Sequence, residues 1–153
     1  MKKLLSLSLS LLLLFSLSCV AFASNEPQKL VHEETVLLEN GDSVTITLYE
    51  SDSTGYSERS NKTASKKYTY RNSSGSSLWT LTLRASFSYN GSSSSANNAS
   101  TSYSISNRDW SCDSHDAYTS GNTAYGEGTF SSSFGASKSA SLSIRCDKNG
   151  NVK

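Results

Sequence analysis

The chain has one proline, one methionine, two histidines and three cysteines in 153 residues. Each shortage excludes something. The two histidines, His32 and His115, are far apart, and no cysteines stand at CxxC spacing. The usual ligand sets of a structural zinc site are therefore missing. A glycine-rich phosphate loop, a GxSxG elbow and an HExxH helix are missing as well. No cofactor and no metal are expected. Near its carboxyl end, Asp147, Asn149 and Asn151 match the first ligand spacings of a calcium loop, but Val152 stands where glycine is due and no closing glutamate follows.

The amino terminus reads as an export signal. Met1-Lys2-Lys3 precedes an apolar run from Leu4 to Val20 broken only by serines, and Ala21-Phe22-Ala23 offers small residues where a signal peptidase cuts. Residues 1–23 are expected to be removed, leaving Ser24 first. A membrane anchor is the poorer reading, because the run is short, serine-diluted and lacks a cationic stop. Acylation at Cys19 is poorer too, with Ser16 three residues before it and apolar Val20 and Phe22 after it. Losing Lys2 and Lys3 leaves 12 basic residues against 13 acidic ones. A net charge near zero gives no electrostatic case for nucleic acid or an anionic membrane as partner.

Aliphatic residues are scarce. Leu, Ile, Val and Phe make up 18 of the 130 residues from Ser24 onward, below the roughly 20% associated with disorder. Disorder also requires high net charge and few aromatics, and 13 Tyr, Trp and Phe remain. Serine, threonine and tyrosine in alternation suit strands with one wet face. The composition points to a lean β-domain. Cys112 and Cys146, the two cysteines beyond the leader, are expected to form a disulfide, closing a loop of about 35 residues worth roughly 3–4 kcal/mol.

The clearest pattern is Leu78–Tyr89. Trp79, Leu81, Leu83, Ala85, Phe87 and Tyr89 share one parity, and Thr80, Thr82, Arg84, Ser86 and Ser88 the other. Successive strand side chains point to opposite faces, so this is a strand with one apolar face, the main wall of the core. Residues 35–39 and SVTITLYE (43–50) flank Asn40-Gly41 and predict a β-hairpin. Residues 51–64 show no period and predict a loop. Tyr68 and Tyr70 share a face of the next strand. Residues 92–100 read equally as loop or edge strand. Trp110 and Cys112 share a parity, and a turn at Gly121-Asn122 sets Tyr118 opposite Tyr125. That register puts Phe130 and Cys112 on different faces, so a bulge near Gly126 and Gly128 is expected to reset it. Residues 138–146 close the domain.

These segments predict an all-β fold of about eight strands. An antiparallel β-sandwich, immunoglobulin-like or related, with one disulfide is the first choice, and a small β-barrel the second. Residues 24–34 are expected to be a flexible tether, 35–146 the single domain and 147–153 a frayed tail. The leader, the LWTLTL…FSYNGSS strand and turn, SYSI with Trp110-Ser111-Cys112, and the closing LSIRCDKNGN resemble a group of small secreted proteins of Gram-positive, Clostridia-like bacteria. The resemblance covers residues 66–151 and the leader. It implies export and a β fold, and it carries no site residue with it.

Two functions stay open. A non-catalytic extracellular binding module would meet a glycan or a cell-surface or host protein. Tyr56, Tyr68, Tyr70 and Tyr118 are its candidate contacts, since tyrosine pairs a flat apolar face with a polar tip, although several are expected in the core. A small secreted hydrolase would use Asp113-Ser114-His115-Asp116. Against it, Ser114 and His115 should point to opposite faces of a strand, leaving His115 and Asp113 to share one. A ligand site is expected on the loops and polar faces around Leu78–Tyr89.

Overall fold

The alternating pattern produces strands and little else. A computed structural model describes residues 27–53 and 60–153. They form β1 (Lys29–Leu37), β2 (Ser43–Ser53), β3 (Ser60–Arg71), β4 (Ser77–Tyr89), β5 (Ser94–Ile105), β6 (Trp110–Ser120), β7 (Thr123–Ser132) and β8 (Ser137–Arg145). All pairings are antiparallel. β1 to β5 lie side by side in chain order as one sheet, and β6-β7-β8 form a second. Neither sheet closes on itself, so the barrel alternative is set aside. The expected leader, residues 1–23, lies outside the described residues.

β4 behaves as its pattern requires. Trp79, Leu81, Leu83, Ala85 and Phe87 are all buried, while Arg84 on the other parity is exposed. The three-stranded sheet covers this face: β8 lies against β3, β6 and β7 against β5, and β4 meets all three. β1 lies beyond β2 at the sheet edge and is exposed along its whole length.

Aromatic rings fill the space that aliphatic residues leave. Trp79 is fully buried. The Phe130 ring from the facing sheet stacks on it at 3.9 Å and 10°, with Tyr68 at 5.5 Å, Tyr70 at 5.3 Å and Trp110 at 6.2 Å around it. Gly126 and Gly128 let β7 come close to β4 and β5. A β-carbon on Gly126 would lie 2.8 Å from Thr101 Cγ2 and 3.0 Å from Leu83 Cδ1.

The expected disulfide is absent, and both cysteines are free. Cys112 stands opposite Phe130, whereas the Cys146 amide donates to the Asn122 carbonyl at the other end of β7. Eight residues of strand separate those levels, about 26 Å, and a bridge needs Cα atoms within about 7 Å. Burial raises both thiol pKa values, assisted by the charge of Asp113 at Cys112 and of Asp147 at Cys146. Reductant should leave the unfolding midpoint of the purified protein unchanged; a fall of several degrees would reveal a bridge.

Other boundaries move as well. The tether reading of residues 24–34 fails from Lys29 onward, where β1 begins. Of the expected 51–64 loop, β2 takes residues through Ser53 and β3 those from Ser60; residues 54–59 lie outside the described ones. Residues 94–100 belong to the edge strand β5. The tail is also built. Asp147 accepts from the Asn149 and Asn151 amides and from Asn151 Nδ2, which holds its carboxyl below the usual range. Gly150, at φ +86°, lies against the Tyr89 ring, and Val152 bridges back to Cys146 and is buried.

Tyr70 is buried, and its hydroxyl donates to Asp42 Oδ2 in the β1–β2 turn. Burial first, and the Asp42 contact second, push its pKa up to about 12. The free phenol titrates near about 10, so between those values the unfolded chain holds fewer protons than the folded one. Stability linked to Tyr70 is therefore intact below about pH 10 and lost as pH rises toward 12. Urea unfolding across that range should show the wild-type advantage over Tyr70→Phe shrinking with pH. A constant difference would contradict the assignment.

Candidate functional site

The tyrosines singled out from the sequence do not gather into one site. Tyr56 lies outside the described residues. Tyr70 is buried and Tyr68 is half-buried, stacked on Trp79; both belong to the core, and Tyr70 offers no ring face to a ligand. Tyr118 is exposed and stacks on Tyr125 at 4.9 Å and 14°, the cross-strand pair expected from the turn at Gly121-Asn122. That pair lies on the outer face of the three-stranded sheet, away from the other two.

The Asp113–Asp116 patch is dispersed. The register between β6 and β7 slips between Cys112 and Ser114, which leaves Asp113 as the bulged residue. The bulge resets parity as Phe130 and Cys112 require, but it lies in β6, not beside the β7 glycines. Its effect is to separate Asp113 from His115. Asp113 accepts from Ser131 Oγ on the outer face. His115 stands opposite Gly128 on the inner side, with Nδ1 2.9 Å from Thr101 Oγ1 and its ring edge-on to Tyr103. Ser114 pairs with Thr129 on the outer side. Nucleophile, base and orienting carboxylate are not within reach of one another, and the expected His115–Asp113 shared face does not exist. His32, on β1, has Nε2 3.7 Å from Glu34 Oε2, and both side chains are exposed.

A different surface stands out. On the outer face of the five-stranded sheet, the pairing register aligns Tyr49, Ser65, Arg84 and Ser100 in one row across β2 to β5. The next row holds Ser51, Thr63, Ser86 and Asn98. All of these except Tyr49, together with Gln28 at the rim, line an open concavity of about 330 Å³. Its shape follows from the residue sizes, since serines occupy the middle of both rows beside the long Arg84 side chain. Ser51 Oγ and Thr63 Oγ1 are 2.6 Å apart, and Ser51 and Ser65 form a buried floor. Hydroxyls and two amides surround one cation here, and the site offers polar contacts to a ligand with many hydroxyls. Tyr49, in the same row, carries Lys67 Nζ 5.4 Å above its ring.

The sequence had marked this face only as the wet side of a strand. Arg84 was the available signal: it is the sole charge in the alternation from Leu78 to Tyr89. Comparison with protein-family models, with curated proteins and with solved structures finds no match for this chain.

Proposed function

We propose that the chain is a secreted, non-catalytic extracellular β-sandwich that binds glycan through the outer face of its five-stranded sheet. The observation that carries this reading is the concavity around Ser65, Arg84 and Ser86, lined by hydroxyl and amide groups and open to solvent. Sugars present dense hydroxyls that act as donor and acceptor, and serine, threonine and asparagine answer them in both roles. The face is built on paired strands, not loops, so its groups are held in place before a ligand arrives, which lowers the cost of ordering them. The dispersal of Asp113, Ser114 and His115 is what weighs against the hydrolase alternative.

Binding to a glycan panel by the purified protein tests the reading. Wild type should bind at least one oligosaccharide. Ser86→Trp, which fills the concavity, should abolish that binding, while Ser141→Trp on the outer face of the other sheet should not. Both positions lie on outer faces, and their substitution should cost little stability. Undiminished binding by Ser86→Trp would place the site elsewhere.

A further inference from the structure

Resting on the glycan reading above, we propose that the ligand is an acidic glycan with repeating sugar carboxylates, and that Arg84 takes one of them. Arg84 is exposed at the centre of the concavity, and among the described residues no carboxylate or other group pairs with it. Its row neighbours are Ser65 and Ser100, neutral hydroxyls that leave the guanidinium fork open. A planar fork of donors matches a carboxylate in a bidentate geometry, and a charge-assisted pair is about twice as strong as a neutral hydrogen bond.

A second cation extends the site. Lys67 is the diagonal neighbour of Arg84, because Ser65 pairs with Arg84 and Lys67 is two residues on along the same face. Diagonal partners on a sheet are about 7–8 Å apart, so two cations follow one another along the face. The opposite outer faces differ in sign. Lys67, Arg71 and Arg84 share the five-stranded sheet's outer parity with Glu33, whereas Asp113, Asp116 and Glu127 lie on the three-stranded sheet's outer side with Arg145. Charge complementarity therefore favours an anionic chain on the first face. The Tyr49 ring, 5.4 Å beneath the Lys67 ammonium, helps to hold that second cation over the face.

The test is calorimetry with galacturonate, alginate and hyaluronan oligosaccharides, the methyl ester of the galacturonate oligomer, and sialyllactose. Wild type should bind at least one uronate oligomer. The acid should bind at least about tenfold more tightly than its ester, and the preference should fade as salt is raised. Arg84→Gln should lose the acid preference, bringing acid and ester to the same affinity, and Lys67→Gln should reduce it by less. Both variants should melt as wild type does, since both side chains are exposed. Equal affinity for acid and ester, or a preference that survives Arg84→Gln, overturns the role of Arg84 and leaves glycan binding standing. Sialyllactose binding as tightly as the oligomers overturns the repeating-carboxylate ligand. Binding to no glycan, neutral or acidic, overturns the glycan reading itself.

Discussion

Gly126→Val should lower the stability of the protein by about 3 kcal/mol, at the upper end of what overpacking a filled core costs. The first carbon added already meets Thr101 Cγ2 at 2.8 Å and Leu83 Cδ1 at 3.0 Å, and valine adds two more. Neither obstacle can swing aside freely. Leu83 is fully buried within the β4 wall, and Thr101 is tied to His115 across the sheets. To admit the side chain, β7 would have to lift away from β4 and β5, opening the contact between Phe130 and Trp79. For a domain near this size the loss corresponds to about 10 °C in the melting midpoint. Gly121→Ala is a useful companion. Gly121 has positive φ but nothing within 4 Å of an added β-carbon, so its cost is backbone strain alone and should be near 1 kcal/mol. Chemical denaturation of both variants checks the ordering, and a Gly126→Val protein as stable as wild type would contradict the close approach of the sheets.

Trp79→Ala should cost still more, about 3–5 kcal/mol, the range for emptying a large aromatic site in a core. Phe130 would lose the ring stacked at 3.9 Å, and Tyr68 and Tyr70 would lose their shared neighbour. Much of a total stability of about 5–15 kcal/mol would go with it. Trp79→Phe should behave differently. Trp79 Nε1 is buried and has no hydrogen-bond partner among the described residues, an arrangement that costs about 1–3 kcal/mol. Phenylalanine removes that group while keeping a stacked ring, so the gain offsets part of the lost packing. Equilibrium unfolding should place Trp79→Phe far closer to wild type than to Trp79→Ala. Equal losses in the two variants would contradict the view that ring stacking, not the indole nitrogen, is what the position supplies.

How much of this was readable in the sequence depends on whether a face was buried. Leu78–Tyr89, the hairpin at Asn40-Gly41 and the Tyr118–Tyr125 pair follow from alternation and turn chemistry, and all are present. β1 escaped from Lys29 to Glu34 because it is exposed on both faces and so leaves no apolar period. The start of β3 was hidden for a related reason: its inward parity there carries Lys62, whose ammonium lies 2.9 Å from Glu50 Oε2, and a buried ion pair breaks a hydrophobic pattern without breaking the strand. The cysteines show the limit of parity. Cys112 and Cys146 do share the inner side, but parity fixes the face and says nothing about position along the strand. The bulge was inferred from the clash between two registers, yet its location in β6 depended on which strand held the extra residue. The candidate site was legible only as a polar face; its concavity needed the register that aligns Ser65, Arg84 and Ser100.

The central claim is that the outer face of the five-stranded sheet is the binding surface. The most direct measurement is a two-dimensional nuclear magnetic resonance titration of the isotope-labelled protein with the tightest oligosaccharide of the panel. The account predicts amide shifts concentrated at Ser65, Arg84, Ser86, Asn98 and Ser100, with Asp116, Glu127 and Thr129 unmoved. Shifts confined to the three-stranded sheet, or to the exposed length of β1, would contradict it.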